Sequence, residues 1–202
     1  MIVQQLTEQE IKDLSKKIPR NGIFLINDLL SPSICKEIIK YIDENSIEES
    51  LTSPSTNVKA MTILPGELKK NKKIMSYLDN AVNTIISKLS TSAVRYSVEI
   101  TGRCHYQLRK IYGPTKCHID RTTEDYNEYV NSKKLRVFSI ILAFNDDYEG
   151  GELCFPTQNC ETKLERGQAI AFPPYWTHPH YTKDLKNDTY RYTLTVWLYG
   201  NS

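Results

Sequence analysis

Histidine is scarce in this chain. There are four, His105, His118, His178 and His180, in 202 residues. Charge of one sign is lacking as well: 26 Lys and Arg stand against 24 Asp and Glu, a formal net charge of +2. No field of that size draws a polyanion to the surface, so no nucleic-acid partner is expected. No run of 18 apolar residues occurs, which excludes a transmembrane helix and leaves no membrane partner to expect. The start, Met1-Ile2-Val3-Gln4-Gln5, has neither the basic nor the apolar region of a secretory signal. The five cysteines, Cys35, Cys104, Cys117, Cys154 and Cys160, include no C-x-x-C pair. An odd number at such spacing argues against a disulfide framework or a zinc ribbon and for reduced thiols in the cytoplasm. No internal repeat is visible. What remains is an ordinary globular composition, 40% hydrophobic and 25% charged, on a chain long enough to fold without staples.

The pattern divides near residue 90. Before it, helical periodicity dominates. Thr7-x-x-Glu10 is a capping-box pattern, and Pro19 and Gly22 end the helix it would start. Phe24-Leu25-Ile26 reads as a short strand. Ser31-Pro32 reads as an N-cap with proline at the first helical position, followed by Ile34, Ile38 and Ile42 on one face. Residues 46–57 read as loop, and Lys69–Lys73 as a solvated helix start leading into the apolar series Ile74, Leu78, Val82, Ile85 and Leu89. After residue 92 the period becomes two. Val94 to Ile100 and Cys104 to Leu108 alternate, and Val137 to Phe144 is a buried-strand run. Gly150-Gly151 marks a turn, and Leu153–Phe155, Gln168–Phe172 and Thr189–Tyr199 read as strands. One domain over 1–202 is expected, α+β in class: residues 1–90 mostly helical support, 92–200 a sandwich, barrel or jelly roll.

His118-Ile119-Asp120 is H-x-D. On extended backbone, residues two apart point the same way, so both side chains can meet one ion. A further histidine follows in Trp176-Thr177-His178-Pro179-His180. Two His and one carboxylate on one face, with the remaining positions open, suit non-haem Fe(II). The third ligand is His178 or His180. Pro179 cannot donate to a strand ladder, so a regular strand more readily begins at His180. In Arg191–Trp197 the residues Arg191, Thr193, Thr195 and Trp197 share one strand face. A guanidinium and a hydroxyl there can hold a carboxylate.

Five segments follow in order: His118-x-Asp120, Asp146-Asp147-Tyr148-Glu149-Gly150-Gly151-Glu152-Leu153-x-Phe155-Pro156, Gly167-x-Ala169-x-Ala171-Phe172-Pro173, Pro179-His180, and Arg191-Tyr192-x-x-Thr195-Val196-Trp197. Together they resemble the Fe(II)- and 2-oxoglutarate-dependent dioxygenases of the prolyl 4-hydroxylase superfamily, over about 94–199 and more loosely over 24–42. They are particularly similar to the oxygen-sensing prolyl hydroxylases and to small phage and bacterial members.

The resemblance implies a double-stranded β-helix, a jelly roll with helices packed outside. It implies His118, Asp120 and, by spacing from Trp176, His180 as metal ligands. Arg191 would pair with the distal carboxylate of 2-oxoglutarate, helped by Thr195. Tyr112 would reach the co-substrate, and Trp197 would line the floor near the iron. It further implies O₂ as co-substrate, support by ascorbate, release of succinate and CO₂, and hydroxylation of a prolyl residue in a protein or peptide; the alternatives are a dioxygenase acting on another protein side chain or a small molecule, and a non-catalytic jelly-roll binding module. His180 and Arg191 are eleven residues apart, longer than in most relatives, which makes Lys183–Asp188 an expected loop insertion. The polar stretch 121–136, with Tyr126, Tyr129, Lys133 and Lys134, is the place to expect substrate contacts. His105 and Cys117 carry no expected chemistry, and the oligomeric state stays open.

Overall fold

The computed structural model describes residues 21–48, 59–91, 99–121 and 135–201. The expected helix after Thr7, the strand at 94–98 and most of the polar stretch 121–136 lie outside these. In chain order the elements are β1 (Phe24–Ile26), α1 (Pro32–Asn45), β2 (Ile47–Glu48), β3 (Ala60–Thr62), α2 (Pro65–Lys70), α3 (Lys72–Thr91), β4 (Glu99–Arg103), β5 (Gln107–Ile111), β6 (Thr115–His118) and β7 (Leu135–Ala143). They continue with β8 (Glu149–Gly150), β9 (Leu153–Phe155), β10 (Cys160–Thr162), β11 (Ala169–Phe172), β12 (His180–Thr182), β13 (Leu185–Lys186) and β14 (Arg191–Asn201).

The helices form where the sequence caps them. Ser31 Oγ accepts from the Ile34 amide, with Pro32 next, and α1 buries Cys35, Ile38 and Ile42. The basic run at 69–73 is split by Asn71, whose side chain accepts from the Ile74 amide at the start of α3. Its lysines are used at the surface: Lys70 pairs with Glu67 at 2.7 Å and Lys73 with Glu37 at 2.5 Å. No helix among the described residues is long and apolar enough to cross a membrane.

The large sheet runs β1-β11-β7-β14-β5-β3-β2, with β4 also on β14; the small sheet runs β10-β9-β12-β6. Among the described residues every pairing is antiparallel. β7 is central, flanked by β11 and β14, and its apolar run fits a strand covered on both faces. One face of the large sheet, with Leu108, Ile140, Leu142, Leu194, Val196 and Leu198, packs on α1 and α3. The other face meets the small sheet around Ala143, Leu153, Phe155, Leu164, Ile170 and Phe172. β14 alternates accordingly: Tyr192, Leu194, Val196 and Leu198 face the helices, and Arg191, Thr193, Thr195 and Trp197 face the space between the sheets.

Three details differ from the sequence-based expectation. Within the stretch 46–57 expected as loop, Ile47–Glu48 form β2 on β3, and residues 49–57 lie outside the described residues. Cys104 to Tyr106 precede β5 rather than joining it; the Cys104 backbone amide bonds to the Trp197 carbonyl instead. The segment at 183–188 is not a plain loop, because β13 pairs with β8, Leu185 on Gly150 and Lys186 on Glu149. That pairing needs both glycines. Gly150 and Gly151 each have φ +68°, and a Cβ on Gly150 would sit 2.2 Å from the Asp184 carbonyl oxygen.

Candidate active site

His118 ends β6 and His180 begins β12, and the two are register partners across that antiparallel pair. Their rings lie 4.4 Å apart, centroid to centroid. Asp120, two residues past His118, places Oδ1 3.3 Å from His118 Nε2 and 3.6 Å from His180 Nε2. One ligand atom from each of the three residues lies within 4.8 Å of the others. Both rings are aimed from behind. His118 Nδ1 donates to the Lys116 carbonyl at 2.7 Å, and His180 Nδ1 donates to the His178 carbonyl at 3.1 Å. A carbonyl only accepts, so Nδ1 carries the hydrogen in each neutral ring and Nε2 presents a lone pair toward Asp120. Phe172 and Phe155 pack on the His180 ring at 4.7 and 5.7 Å.

Asp120 is fixed on its other side. Ser139 Oγ donates to Oδ2 at 2.5 Å, and Arg136 Nη1 donates to the Asp120 carbonyl at 2.7 Å. Burial pushes the Asp120 carboxyl up, but the His118 bond, the His180 charge and the Ser139 bond outweigh it, and the group is held far below the usual carboxylate range. Burial lowers the pKa of His118, yet the bonds to Asp120 and to the Lys116 carbonyl raise it above the ordinary value. For His180 burial wins and the pKa is lowered. The result is an ionised carboxylate and two oriented imidazoles converging on one point, a donor set suited to Fe(II).

His178 does something else. Its Nε2 donates to the Asn21 carbonyl at 2.9 Å, and its Nδ1 faces Thr177 Oγ1 at 2.9 Å. The ring lies so close to Gly22 that a Cβ there would be 3.0 Å from Nε2. His178 thus packs against the segment before β1, and its carbonyl orients His180.

Arg191 lies at the start of β14 and is 8% exposed. Nη1 donates to the Gly151 carbonyl at 3.1 Å, while Nε is buried with no hydrogen-bond partner among the described residues. It shares a narrow cavity with Thr193, Tyr148, Ala143, Leu153 and Leu164. Thr193 Oγ1 is likewise buried without a partner. No carboxylate among the described residues pairs with Arg191; burial depresses its pKa, and the neighbouring Tyr148 phenol offsets this only in part. A buried cation without a counter-anion is costly, and the cavity therefore fits an anionic ligand. Ala143, Leu153 and Leu164 also belong to the apolar cluster holding Phe155 and Phe172, so one cluster borders both the cavity and the His180 ring. The donors present, the Arg191 guanidinium and the Thr193 hydroxyl, fit one carboxylate group.

The other expected site residues are spread around this centre. Thr195 is half-buried on the same face as Arg191, opposite Gln107 and Ile141. It does not line the cavity; Thr193, two residues closer to Arg191, does. Tyr112 is 37% exposed just past β5, bonded through its amide to Lys59, and also does not line the cavity. Trp197 is half-buried with the Arg136 guanidinium 4.2 Å from its ring centroid. Ser139, Arg136, Thr193 and Tyr148 have roles that sequence reasoning missed. Ser139 had a signal, a lone hydroxyl inside the apolar run 137–144.

Residues 106–199 match the family model of the 2OG-Fe(II) oxygenase superfamily. The match spans the strands from the start of β5 to β14. No curated protein sequence matches the chain. Solved structures do. A prolyl hydroxylase from Trichoplax adhaerens, in complex with a hypoxia inducible factor oxygen degradation domain peptide fragment, is 20% identical with a TM-score of 0.69, covering 93% of this chain and 88% of its own. The viral collagen prolyl hydroxylase of Paramecium Bursaria Chlorella virus-1, in its 2OG complex, is 18% identical with a TM-score of 0.64, covering 88% and 96%. A Pseudomonas putida prolyl-4-hydroxylase is 16% identical with a TM-score of 0.61, covering 95% and 97%. At these identities the likeness establishes the fold, and this chain has the double-stranded β-helix of these structures.

Proposed function

We propose that this oxygenase is a single-domain Fe(II)- and 2-oxoglutarate-dependent hydroxylase whose substrate is a prolyl residue in a protein or peptide. The observation that carries the cofactor assignment is the pairing of a convergent His118–Asp120–His180 group with a buried, anion-deficient Arg191, both bordered by one apolar cluster. His118 Nε2, Asp120 Oδ1 and His180 Nε2 would hold the iron. Arg191 and Thr193 would hold the distal carboxylate of 2-oxoglutarate, the guanidinium by a charge-assisted pair and the hydroxyl as a neutral donor. Thr195, Tyr112 and Trp197 would border the mouth. When bound, the metal with 2-oxoglutarate and O₂ supplies the oxidising power, yielding succinate, CO₂ and one hydroxyl on the substrate.

The protein's own share is orientation and exclusion of water. Backbone carbonyls fix both imidazoles, Ser139 leaves Oδ1 of Asp120 free for the metal, and Phe155, Phe172, Leu153 and Leu164 keep the interior apolar. The prolyl substrate is supported by the relatives, one of which is in complex with a peptide and another of which is a collagen prolyl hydroxylase. The test is to incubate Fe(II)-loaded protein with 2-oxoglutarate and ascorbate in air and measure succinate, then to screen proline-bearing peptides for a gain of one oxygen. Absence of succinate under all conditions would refute the oxygenase reading. Oxygen on a residue other than proline would refute the substrate.

A further inference from the structure

The loop between β11 and β12, residues 173–179, turns its largest side chain outward: Trp176 is 81% exposed. The backbone beneath it is tied down. The Tyr175 carbonyl accepts from the His178 amide at 2.9 Å, and the Thr177 carbonyl accepts from Gln158 Nε2 at 2.7 Å. The Pro174 carbonyl accepts from the Arg121 amide at 2.9 Å. Pro173, Pro174 and Pro179 remove further backbone freedom. An ordered loop thus holds an indole in water beside the metal group. It runs from Phe172, which packs on the His180 ring, to His180 itself, and Arg121 directly follows Asp120. Four residues of chain span at most about 14 Å, which bounds the distance from the Trp176 backbone to that of His180. Cations border the same place. The Arg121 guanidinium stands 5.0 Å from the ring centroid of Tyr175, the neighbour of Trp176. Lys116, two residues before His118 on β6, is exposed. Neither cation pairs with a carboxylate among the described residues.

We propose that Trp176 and Arg121 form the platform on which a peptide substrate docks beside its target residue: an apolar or prolyl side chain of the peptide lies on the indole, and an acidic side chain pairs with the guanidinium. The proposal rests on the peptide-substrate reading above and adds which peptides are taken. Aromatic faces receive extended, proline-bearing chains, which lose little conformational freedom on docking. Trp and Arg are the residue types that carry most binding energy where they meet a partner. The tied loop is ordered before the peptide arrives, so little is lost on the protein's side. Unpaired cations at 121 and 116 set the sign of the flanking charge. By the reach of the chain, the contacts fall within about four residues of the target.

The test presents the Fe(II)-loaded full chain and 2-oxoglutarate with a library of synthetic peptides, each with one proline and randomised flanks. Mass spectrometry then reads which members gain oxygen. Those members should be enriched in acidic and apolar residues within about four positions of the proline. For one such peptide, exchanging its glutamate for glutamine should raise the KM about threefold, the worth of an exposed ion pair. That difference should vanish in Arg121→Gln and fade as salt is added. Trp176→Ala should raise the KM of both peptides about ten- to thirty-fold. Its 2-oxoglutarate affinity, titrated by calorimetry without peptide, should not move, and its melting temperature should hold because the indole lies outside the core. No acidic enrichment, or an unchanged peptide KM in Trp176→Ala, would overturn the proposal. So would a KM that rises only together with weaker 2-oxoglutarate binding. Binding of anionic lipid vesicles or of a single-stranded oligonucleotide that Trp176→Ala abolishes, with peptide KM constant, would give the platform to another partner and overturn it too. Succinate formed by the unsubstituted protein with no library member hydroxylated would remove the prolyl-peptide reading itself, and the platform with it.

Discussion

Removing one hydroxyl from the middle of β7 should loosen the metal without touching it. Ser139 is fully buried and donates to Asp120 Oδ2 at 2.5 Å, while Oδ1 faces the two imidazoles. In Ser139→Ala the Oδ2 lone pairs lose that donor inside the protein, where a replacement water has little room beside Phe172 and Trp197, the register neighbours of Ser139. A hydrogen bond to a charged acceptor is worth about 1.5–3 kcal/mol. Part of that returns when the carboxylate turns both oxygens to the metal. Groups that orient metal ligands typically cost about ten- to a hundred-fold in affinity when lost, and the lower half of that range fits a carboxylate able to rotate. Fe(II) should therefore bind Ser139→Ala about ten- to thirty-fold more weakly, measured by anaerobic titration. The affinity of the metal-loaded variant for 2-oxoglutarate should change far less, because Arg191 and Thr193 are untouched. Unaltered Fe(II) affinity in a folded Ser139→Ala protein would show that Asp120 needs no help from β7.

The remaining expectations follow from the same geometry. Arg191→Ala should raise the KM for 2-oxoglutarate about thirty- to a hundred-fold, the worth of a charge-assisted pair, with Fe(II) affinity nearly constant; Arg191→Lys should recover part, since a point charge lacks the fork. A constant KM in Arg191→Ala would remove Arg191 from co-substrate binding. His180→Ala should lose iron and turnover together, whereas His178→Ala, which breaks the bond to Asn21, should keep iron and melt at a lower temperature; the reverse pattern would reassign the third ligand. Iron affinity should fall as pH drops, starting above the usual imidazole range, because His118 has a raised pKa in the metal-free protein and the metal must displace its proton. A flat Fe(II) affinity from pH 8 to pH 5 would exclude His118 as a ligand.

Much of this centre was legible because its logic is local. H-x-D needs only the two-residue period of a strand, and the absence of an N–H on Pro179 places the start of β12 at His180. The face shared by Arg191 and Thr193 follows from the same period. The failures are non-local. Nothing in the sequence brings Ser139 to Asp120 or Tyr148 to Arg191, because those contacts depend on which strands become neighbours. Thr193 and Thr195 share one face of β14, and only the packing of the two sheets puts Thr193 at the cavity. The stretch 183–188 looked like an insertion because its pairing with Glu149 and Gly150 rests on backbone that only glycine can supply.

Arg191 has a consequence for the whole molecule. A folded chain that keeps a cation inside without an anion holds free energy in reserve, and an acid that supplies the missing charge releases it. Ligand that binds only the folded state adds about 2.7 kcal/mol at a hundred times its Kd. On the proposed reading, the folded lifetime of this oxygenase would rise and fall with the 2-oxoglutarate around it. Starved of its co-substrate, the protein would become easier prey for proteases before it became merely idle.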